Sequence, residues 1–216
     1  RTTPTIGNRQ AVISLEPRIY LASRSPRRRE LLAQIGVRFE LLMFRGIPRE
    51  DPDIDEAALP GETPEDYVVR VTLAKAQAGL RRIRERHLIP HPVLAADTTV
   101  EVDGNVIGKP EHEADAVAIL QRLSGRSHRV LTAVALADID STEHLLNVSE
   151  VRFRPLENEE IRRYVASGEP LDKAGAYGIQ GRAAIFVEEI RGSYTGIMGL
   201  PLYETAILLR HFGYPI

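Results

Sequence analysis

Serine and arginine residues stand together where a buried segment turns into a helix. Ser23 and Ser25 precede the run Arg27-Arg28-Arg29, and Pro26 fits the first helical position. A helix N-terminus presents free N–H groups and a partial positive charge, so arginines there are unfavourable unless an anion lies on the cap. The pattern predicts a phosphate site, although a solvated basic patch after a turn would use the same residues.

Acidic residues occur at two places that could serve a polyphosphate. Asp97 follows the apolar run Val93-Leu-Ala-Ala96, and catalytic carboxylates commonly lie at strand ends in α/β folds. Glu56 closes the segment Asp53-Ile-Asp-Glu56 in a proline-rich loop, where it could offer an oxygen ligand to a hard cation. Solvated loop charge is the ordinary alternative for such a segment.

Two lysines stand at separate positions along the chain. Lys75 lies beside the apolar face of a predicted helix, where a lysine usually extends to solvent and less often points into a cleft. Lys109 lies at a constrained turn between Gly108 and Pro110, where it could simply be exposed. With the arginine cap and the acids, the lysines suit metal-assisted cleavage of a nucleotide polyphosphate.

A glycine-rich segment from residue 168 to residue 181 carries few polar side chains, among them Asp172, Lys173 and Gln180. So many glycines indicate that the backbone closely approaches a neighbour. The Gln180 amide offers a donor and an acceptor, which fits the O=C–N–H edge of uracil or thymine. A tight structural loop is an equally good interpretation of the segment alone.

Composition excludes several function classes. The chain has 216 residues, of which 43% are hydrophobic, and a formal net charge of −2, which does not suggest a general nucleic-acid binder. Cysteine is absent, which excludes thiol catalysis and thiolate metal sites, and no apolar run approaches the roughly 18 residues of a membrane span. We expect a cytoplasmic protein with no membrane partner. Residues 1–17 are predicted to be a flexible extension, and 18–216 a single domain.

Strands and helices that must position these residues alternate along the chain. Apolar patterns predict strands at 19–22, 37–44, 93–96, 128–136, 143–153 and 184–190, with strand propensity continuing through 97–99 and a hairpin turn at Asp103-Gly104. Helices are predicted from Pro26, after Thr63, around 116–123, at 158–167 and after Pro201. The sequence therefore predicts an α/β protein.

Six ordered motifs resemble the Maf family of nucleoside triphosphate pyrophosphatases. They are Ser23-x-Ser-Pro-Arg-Arg28, Ala95-Ala-Asp-Thr98, Gly108-Lys-Pro110, Leu123-Ser-Gly-Arg126, Asp172-Lys-Ala-Gly-Ala-Tyr-Gly-Ile-Gln-Gly181 and Gly199-Leu-Pro-Leu202. The resemblance implies an elongated mixed β-sheet flanked by helices, two-lobed with a central cleft, as in inosine triphosphate pyrophosphatases. Ala176-Tyr-Gly-Ile-Gln180 resembles the branch that hydrolyses dTTP and UTP, rather than the sister branch that acts on 7-methyl-GTP.

The same resemblance implies roles for individual residues. Asp97 would accept the proton of the attacking water, and Asp97 and Glu56 would hold Mg²⁺, Mn²⁺ or another divalent metal. Catalytic lysines facing the phosphates would be Lys75 and Lys109. Substrate binding and specificity would fall to Ser23, Arg27, Arg28, Thr98, Lys173 and Gln180.

Other implications of the resemblance concern partners and alternatives. It implies a pyrimidine nucleoside triphosphate as substrate, a homodimer and no stable nucleic-acid partner. Because the family name comes from an effect on septum formation, a non-enzymatic regulator that binds nucleotide or nucleic acid is the alternative. The loop Phe44–Pro52 is longer than the family spacing, so Glu50 or Asp51 could replace Glu56 as the second carboxylate.

Overall fold

The computed structural model describes residues 17–42 and 54–216. In these two ranges, seven strands form one mixed sheet: β1 Ile19–Leu21, β2 Phe39–Leu41, β3 Val93–Val102, β4 Asn105–Ile107, β5 Ser127–Ala137, β6 Thr142–Phe153 and β7 Val187–Arg191. Their order is β2-β1-β3-β5-β6-β7, with β4 paired to β3 outside that path. β1 is parallel to β2 and β3, whereas the other pairs are antiparallel. The predicted mixed α/β sheet is confirmed.

Within the described residues, six α-helices flank this sheet: α1 Pro26–Gln34, α2 Pro64–Glu85, α3 Glu113–Leu123, α4 Asn158–Val165, α5 Tyr194–Met198 and α6 Leu202–His211. Two begin as the sequence predicts, because the Ser25 and Thr63 side chains accept backbone N–H groups in the first turns of α1 and α2. No helix in the described ranges combines the length and apolarity needed to cross a membrane.

The central strand β3 contributes residues to three separate apolar clusters along its length. The first half of β3 contributes Val93 and Ala95 to a cluster packed against α2, and Leu94 and Ala96 to a cluster packed against α1 and α6. The second half contributes Val100 to a cluster with α3, α4 and the glycine-rich segment. The polar residues 97–99 therefore lie on the central strand between separate apolar clusters.

The predicted hairpin is confirmed, since Asp103 and Gly104 both have positive φ, at 56° and 77°. The strand predicted at 184–190 is partly wrong. Residues Arg182–Phe186 form a 3₁₀ segment, and the strand begins at Val187. Ala183 and Phe186 are buried three residues apart, the spacing that places two side chains on one side of a 3₁₀ turn.

Candidate active site

One cavity of about 290 Å³ opens where β3 passes the start of α1 and the side of α2. Its walls contain every site residue predicted from the sequence, namely Ser23, Arg27, Arg28, Glu56, Lys75, Asp97, Thr98, Lys109, Lys173 and Gln180. The structure thus brings together residues from six separate parts of the chain. Their individual roles remain predictions. The alternative carboxylates Glu50 and Asp51 lie outside the described residues.

The N-terminus of α1 forms the helix cap at which the sequence predicts an anion site. Ser25 Oγ accepts the backbone N–H of Arg28 at 3.5 Å, and Ser23 Oγ accepts the backbone N–H of Ser25 at 3.2 Å. Because Ser23 through Arg28 line the cavity, the positive end of the helix dipole adds to the charge of the arginines there. This arrangement suits an anion such as phosphate.

Arg28 is held by three different parts of the fold. Its Nε donates to the Gly199 carbonyl at 2.7 Å, Nη1 donates to Ser23 Oγ at 3.2 Å, and Nη2 donates to Thr98 Oγ1 at 3.2 Å. Burial lowers the pKa of Arg28, and the Asp97 carboxylate opposes that shift. A guanidinium stays protonated in proteins, so the cavity contains a fixed and preoriented positive charge.

A directional chain of hydroxyl groups lies beneath Arg28. Thr132 Oγ1 contacts the Gly196 carbonyl at 2.7 Å and Thr98 Oγ1 at 2.9 Å. A carbonyl can only accept, so Thr132 donates to Gly196 and Thr98 must donate to Thr132. The Thr98 oxygen is then left to accept from Arg28. The sequence alone does not identify Thr132 as a site residue, because its only signal is one hydroxyl in the apolar run from Val130 to Leu136.

Two carboxylates share one ammonium group in the cavity. Lys75 Nζ lies 2.6 Å from Asp97 Oδ1 and 2.8 Å from Glu56 Oε1. Burial disfavours the charged lysine, but Asp97 and Glu56 more than offset it, so the pKa of Lys75 is raised. The lysine therefore points into the cleft rather than along the surface, and its single positive charge offsets part of the negative charge of the two acids.

The glycine-rich segment approaches side chains of its own chain. A Cβ at Gly175 would lie 2.7 Å from Val100 Cγ2, and one at Gly178 would lie 2.8 Å from Lys173 Cε. Lys173 is anchored as well, since its Nζ donates to the Glu169 carbonyl and to Asp172 Oδ1, both at 2.7 Å. Tight packing, the alternative interpretation of this segment, therefore explains these two glycines.

The remaining cavity walls differ in character. Lys109 and Gln180 are exposed, so both side chains are accessible from solvent. Apolar surface comes from Val100, Ile179 and Ile197, which lie on three different segments. The cavity thus combines fixed cations, two carboxylates, an exposed amide and an apolar wall, a combination suited to a nucleotide with its phosphates and its base.

A family model described as Maf-like protein matches residues 18–212. A protein of Aromatoleum aromaticum named dTTP/UTP pyrophosphatase is 66% identical over 203 residues, covering 94% of this chain and 98% of that protein. Proteins of the same name from Dechloromonas aromatica and Ralstonia nicotianae are 59% and 60% identical, covering 91% and 89% of this chain and 98% and 93% of their own lengths.

Among solved structures, the Ham1 protein of Staphylococcus aureus is similar at a TM-score of 0.41 and 16% identity. The match covers 90% of this chain and 97% of that chain.

Proposed function

The chain belongs to the Maf family, and we propose that it hydrolyses dTTP and UTP to the nucleoside monophosphate and pyrophosphate. The observation that carries this proposal is the single cavity in which a cationic helix cap, a carboxylate–lysine cluster and Gln180 converge. The relatives named dTTP/UTP pyrophosphatase match nearly their whole lengths, which supports the same activity. They also disfavour the alternative of a non-enzymatic septum-formation regulator.

The reaction is attack of water on the α-phosphorus. A bond forms between the water oxygen and the α-phosphorus, the bond from that phosphorus to the oxygen bridging the α- and β-phosphates breaks, and pyrophosphate leaves. We assign Asp97 as the acceptor of the water proton; its place on β3 at the cavity wall, with its carboxylate held by Lys75, supports this assignment. A positioned general base contributes roughly 10²–10⁴-fold.

We expect fixed cations to stabilise the transition state more than the general base does. Charge on the phosphate oxygens and the leaving pyrophosphate is stabilised best by groups that are already oriented. Arg28 meets that condition through its three hydrogen bonds, and Ser23, Arg27 and Lys109 lie on the same cavity wall. We assign these residues to the triphosphate.

Recognition of the base is assigned to the exposed amide of Gln180. An amide can accept from the ring N–H and donate to a ring carbonyl, and uracil and thymine present both groups on one edge. Lys173, which the resemblance placed at the substrate, is tied to Glu169 and Asp172. We therefore assign Lys173 chiefly to holding the glycine-rich segment beside the base.

Mg²⁺ or Mn²⁺ is the proposed cofactor, and the donor set suits it. No group of three potential metal ligands occurs within 17–42 and 54–216, but Mg²⁺ is commonly held by one or two carboxylates together with substrate phosphates and water. Asp97 and Glu56 would be the carboxylates. The bound metal would neutralise phosphate charge and polarise the phosphoryl group.

Further proposals concern the molecule in the cell. We propose a homodimer located in the cytoplasm, without a stable nucleic-acid partner, in which 18–216 is one two-lobed domain. The net charge of −2 supports the absence of general nucleic-acid binding.

Pyrophosphate release from a panel of triphosphates tests the activity. With Mg²⁺ we expect release led by dTTP and UTP, with little from GTP or 7-methyl-GTP, and no release in the presence of a chelator. Asp97→Asn should lower turnover by about 10²–10⁴-fold. The matched control is Asp103→Asn, at an exposed hairpin turn where asparagine is also favoured. No release from the folded wild-type protein would favour the binding-protein alternative.

A further inference from the structure

Three consecutive backbone carbonyls around Glu56 accept hydrogen bonds from two side chains of α2. Arg70 Nη1 donates to the Asp55 carbonyl at 3.1 Å, Tyr67 Oη donates to the Glu56 carbonyl at 3.0 Å, and Arg70 Nη2 donates to the Ala57 carbonyl at 2.8 Å. This segment belongs to no helix or strand. The two side chains therefore supply backbone anchorage that regular secondary structure does not provide here.

Arg70 is itself oriented by a carboxylate. Its Nε and Nη2 donate to the two oxygens of Glu62 at 2.6 and 2.9 Å, and its guanidinium lies 5.6 Å from the centre of the Tyr67 ring. Glu62 also accepts the backbone N–H of Leu59 at 3.0 Å, which closes the loop after Glu56. The hydrogen bonds from Arg70 lower the pKa of Glu62 to about 2, so this carboxylate is ionised throughout the neutral range.

We propose that Tyr67, Arg70 and Glu62 form a positioning clamp that aims the Glu56 carboxylate at the metal and triphosphate. Glu56 is the more exposed of the two carboxylates on Lys75, with 40% of its side chain accessible against 15% for Asp97. Asp97 is oriented by a central strand, whereas Glu56 depends on the segment that the clamp holds. This inference rests on the proposed role of Glu56.

The clamp and the shared lysine lie on the same helix. Tyr67, Arg70 and Lys75 all belong to α2, so one helix carries the groups that hold both the backbone and the carboxylate of Glu56. The backbone is held at residues 55 to 57, and the side chain is held at its tip by Lys75. Loosening the backbone alone should therefore displace the Glu56 carboxylate, which would hold the metal.

Arg70→Lys is the direct test, and the chain offers a matched control in Arg154→Lys. Arg154 also makes a two-pronged pair with a carboxylate, since its Nη2 and Nη1 donate to the two oxygens of Glu160 at 2.6 and 3.0 Å. It also donates to two backbone carbonyls, those of Ile185 and Pro155, and lies 5.6 Å from the centre of the Phe186 ring. It does not line the cavity. A lysine keeps the charge at either position but cannot reproduce the planar fork.

We expect Arg70→Lys to raise the Mg²⁺ concentration for half-maximal pyrophosphate release by roughly 3–30-fold, because it weakens two or more hydrogen bonds. Arg154→Lys should stay within about twofold of the wild type. In a Glu56→Gln background, Arg70→Lys should cause no further rise, since a positioning residue acts only through the group that it positions. A rise that persists in that background would overturn the proposal.

Hydrogen exchange of the metal-free protein gives a readout that does not depend on activity. We expect the amides of Ala57 and Leu59 to exchange at least several-fold faster in Arg70→Lys than in the wild type, with no change in Arg154→Lys. Unchanged exchange would exclude the clamp even if the enzyme is active. If the wild type releases no pyrophosphate, the proposed function fails, and exchange still decides whether the clamp exists.

Discussion

Thr98 lies at the cavity wall, where a hydroxyl could donate to a phosphate or a base, but its proton points away from the cavity. The hydroxyl of Thr132 is committed to the Gly196 carbonyl, so Thr98 donates to Thr132 and accepts from Arg28. At the scale of single residues, we therefore expect Thr98 to act through the guanidinium of Arg28. The resemblance associated Thr98 with substrate choice, and the geometry gives that association a physical route.

Thr132→Val should disturb this chain while conserving shape. The Thr98 proton would lose its acceptor and could turn toward Arg28, which would lose an oriented acceptor in turn. We expect KM for dTTP to rise roughly 3–10-fold with a smaller change in kcat, the effect of losing about one net hydrogen bond in substrate binding. Thr132→Ser keeps the hydroxyl, so its KM for dTTP should stay close to that of the wild type.

Thr205→Val is the control for a lost buried hydroxyl. Thr205 Oγ1 donates to the Pro201 carbonyl at 2.7 Å and is fully buried in α6, outside the cavity wall. Its substitution should lower the melting temperature without changing KM. Equal changes in KM for Thr132→Val and Thr205→Val would show that Thr132 has only a structural role.

At the scale of elements, local signals predict where helices begin, whereas the contacts of individual side chains depend on residues far away in the sequence. Ser25 and Thr63 mark α1 and α2 because a cap depends only on residues a few positions away. The ten predicted site residues in the cavity wall could be identified from their residue types and from the motif resemblance. Tyr67 instead reads as part of the apolar face of α2, since its partner is a backbone carbonyl that leaves no mark in the sequence.

The glycine-rich segment also shows that the sequence does not identify contacts between residues far apart in the chain. Its composition predicts a close approach, but the neighbour of Gly175 is Val100, far away in sequence. Gly175 also has a φ of 71°, in the left-handed region that favours glycine. Two separate physical demands, backbone conformation and space, therefore require glycine at this position.

Gly175→Ala and Gly168→Ala separate these two demands. Gly168 has a φ of 75°, and a Cβ there would meet nothing within 4 Å, so its substitution should cost only the conformational penalty of about 1–2 kcal/mol. Gly175→Ala should cost that amount and about 1–3 kcal/mol more for overpacking against Val100. Chemical denaturation measures both values.

Relief of the clash gives a further check on Gly175. In Gly175→Ala/Val100→Ala the added methyl has space, so the combined loss should be smaller than the sum of the single losses. Additive losses, or equal costs at Gly168 and Gly175, would contradict the packing argument.

At the scale of the whole molecule, one buried histidine links the central sheet to the glycine-rich segment. His128 on β5 is 2% exposed, its Nε2 lies 2.8 Å from the Tyr177 hydroxyl, and its ring packs edge-on against Phe153. Its Nδ1 has no hydrogen-bond partner within the described chain. Burial lowers the pKa of His128 to about 4, so the folded protein keeps this imidazole neutral.

This neutral histidine should make the fold sensitive to mild acid. Between its ordinary pKa of about 6.5 and its folded pKa of about 4, the unfolded chain binds a proton that the native state excludes, so stability falls as pH falls. Urea unfolding should show a loss of about 2 kcal/mol from pH 7 to pH 5 attributable to His128. His128→Gln should flatten that dependence even if it lowers stability at pH 7, whereas His144→Gln, at an exposed position on β6, should leave it unchanged. An unaltered pH dependence in His128→Gln would mean that the acid sensitivity arises from other groups, because only a residue that titrates differently in the folded and unfolded states can produce the slope.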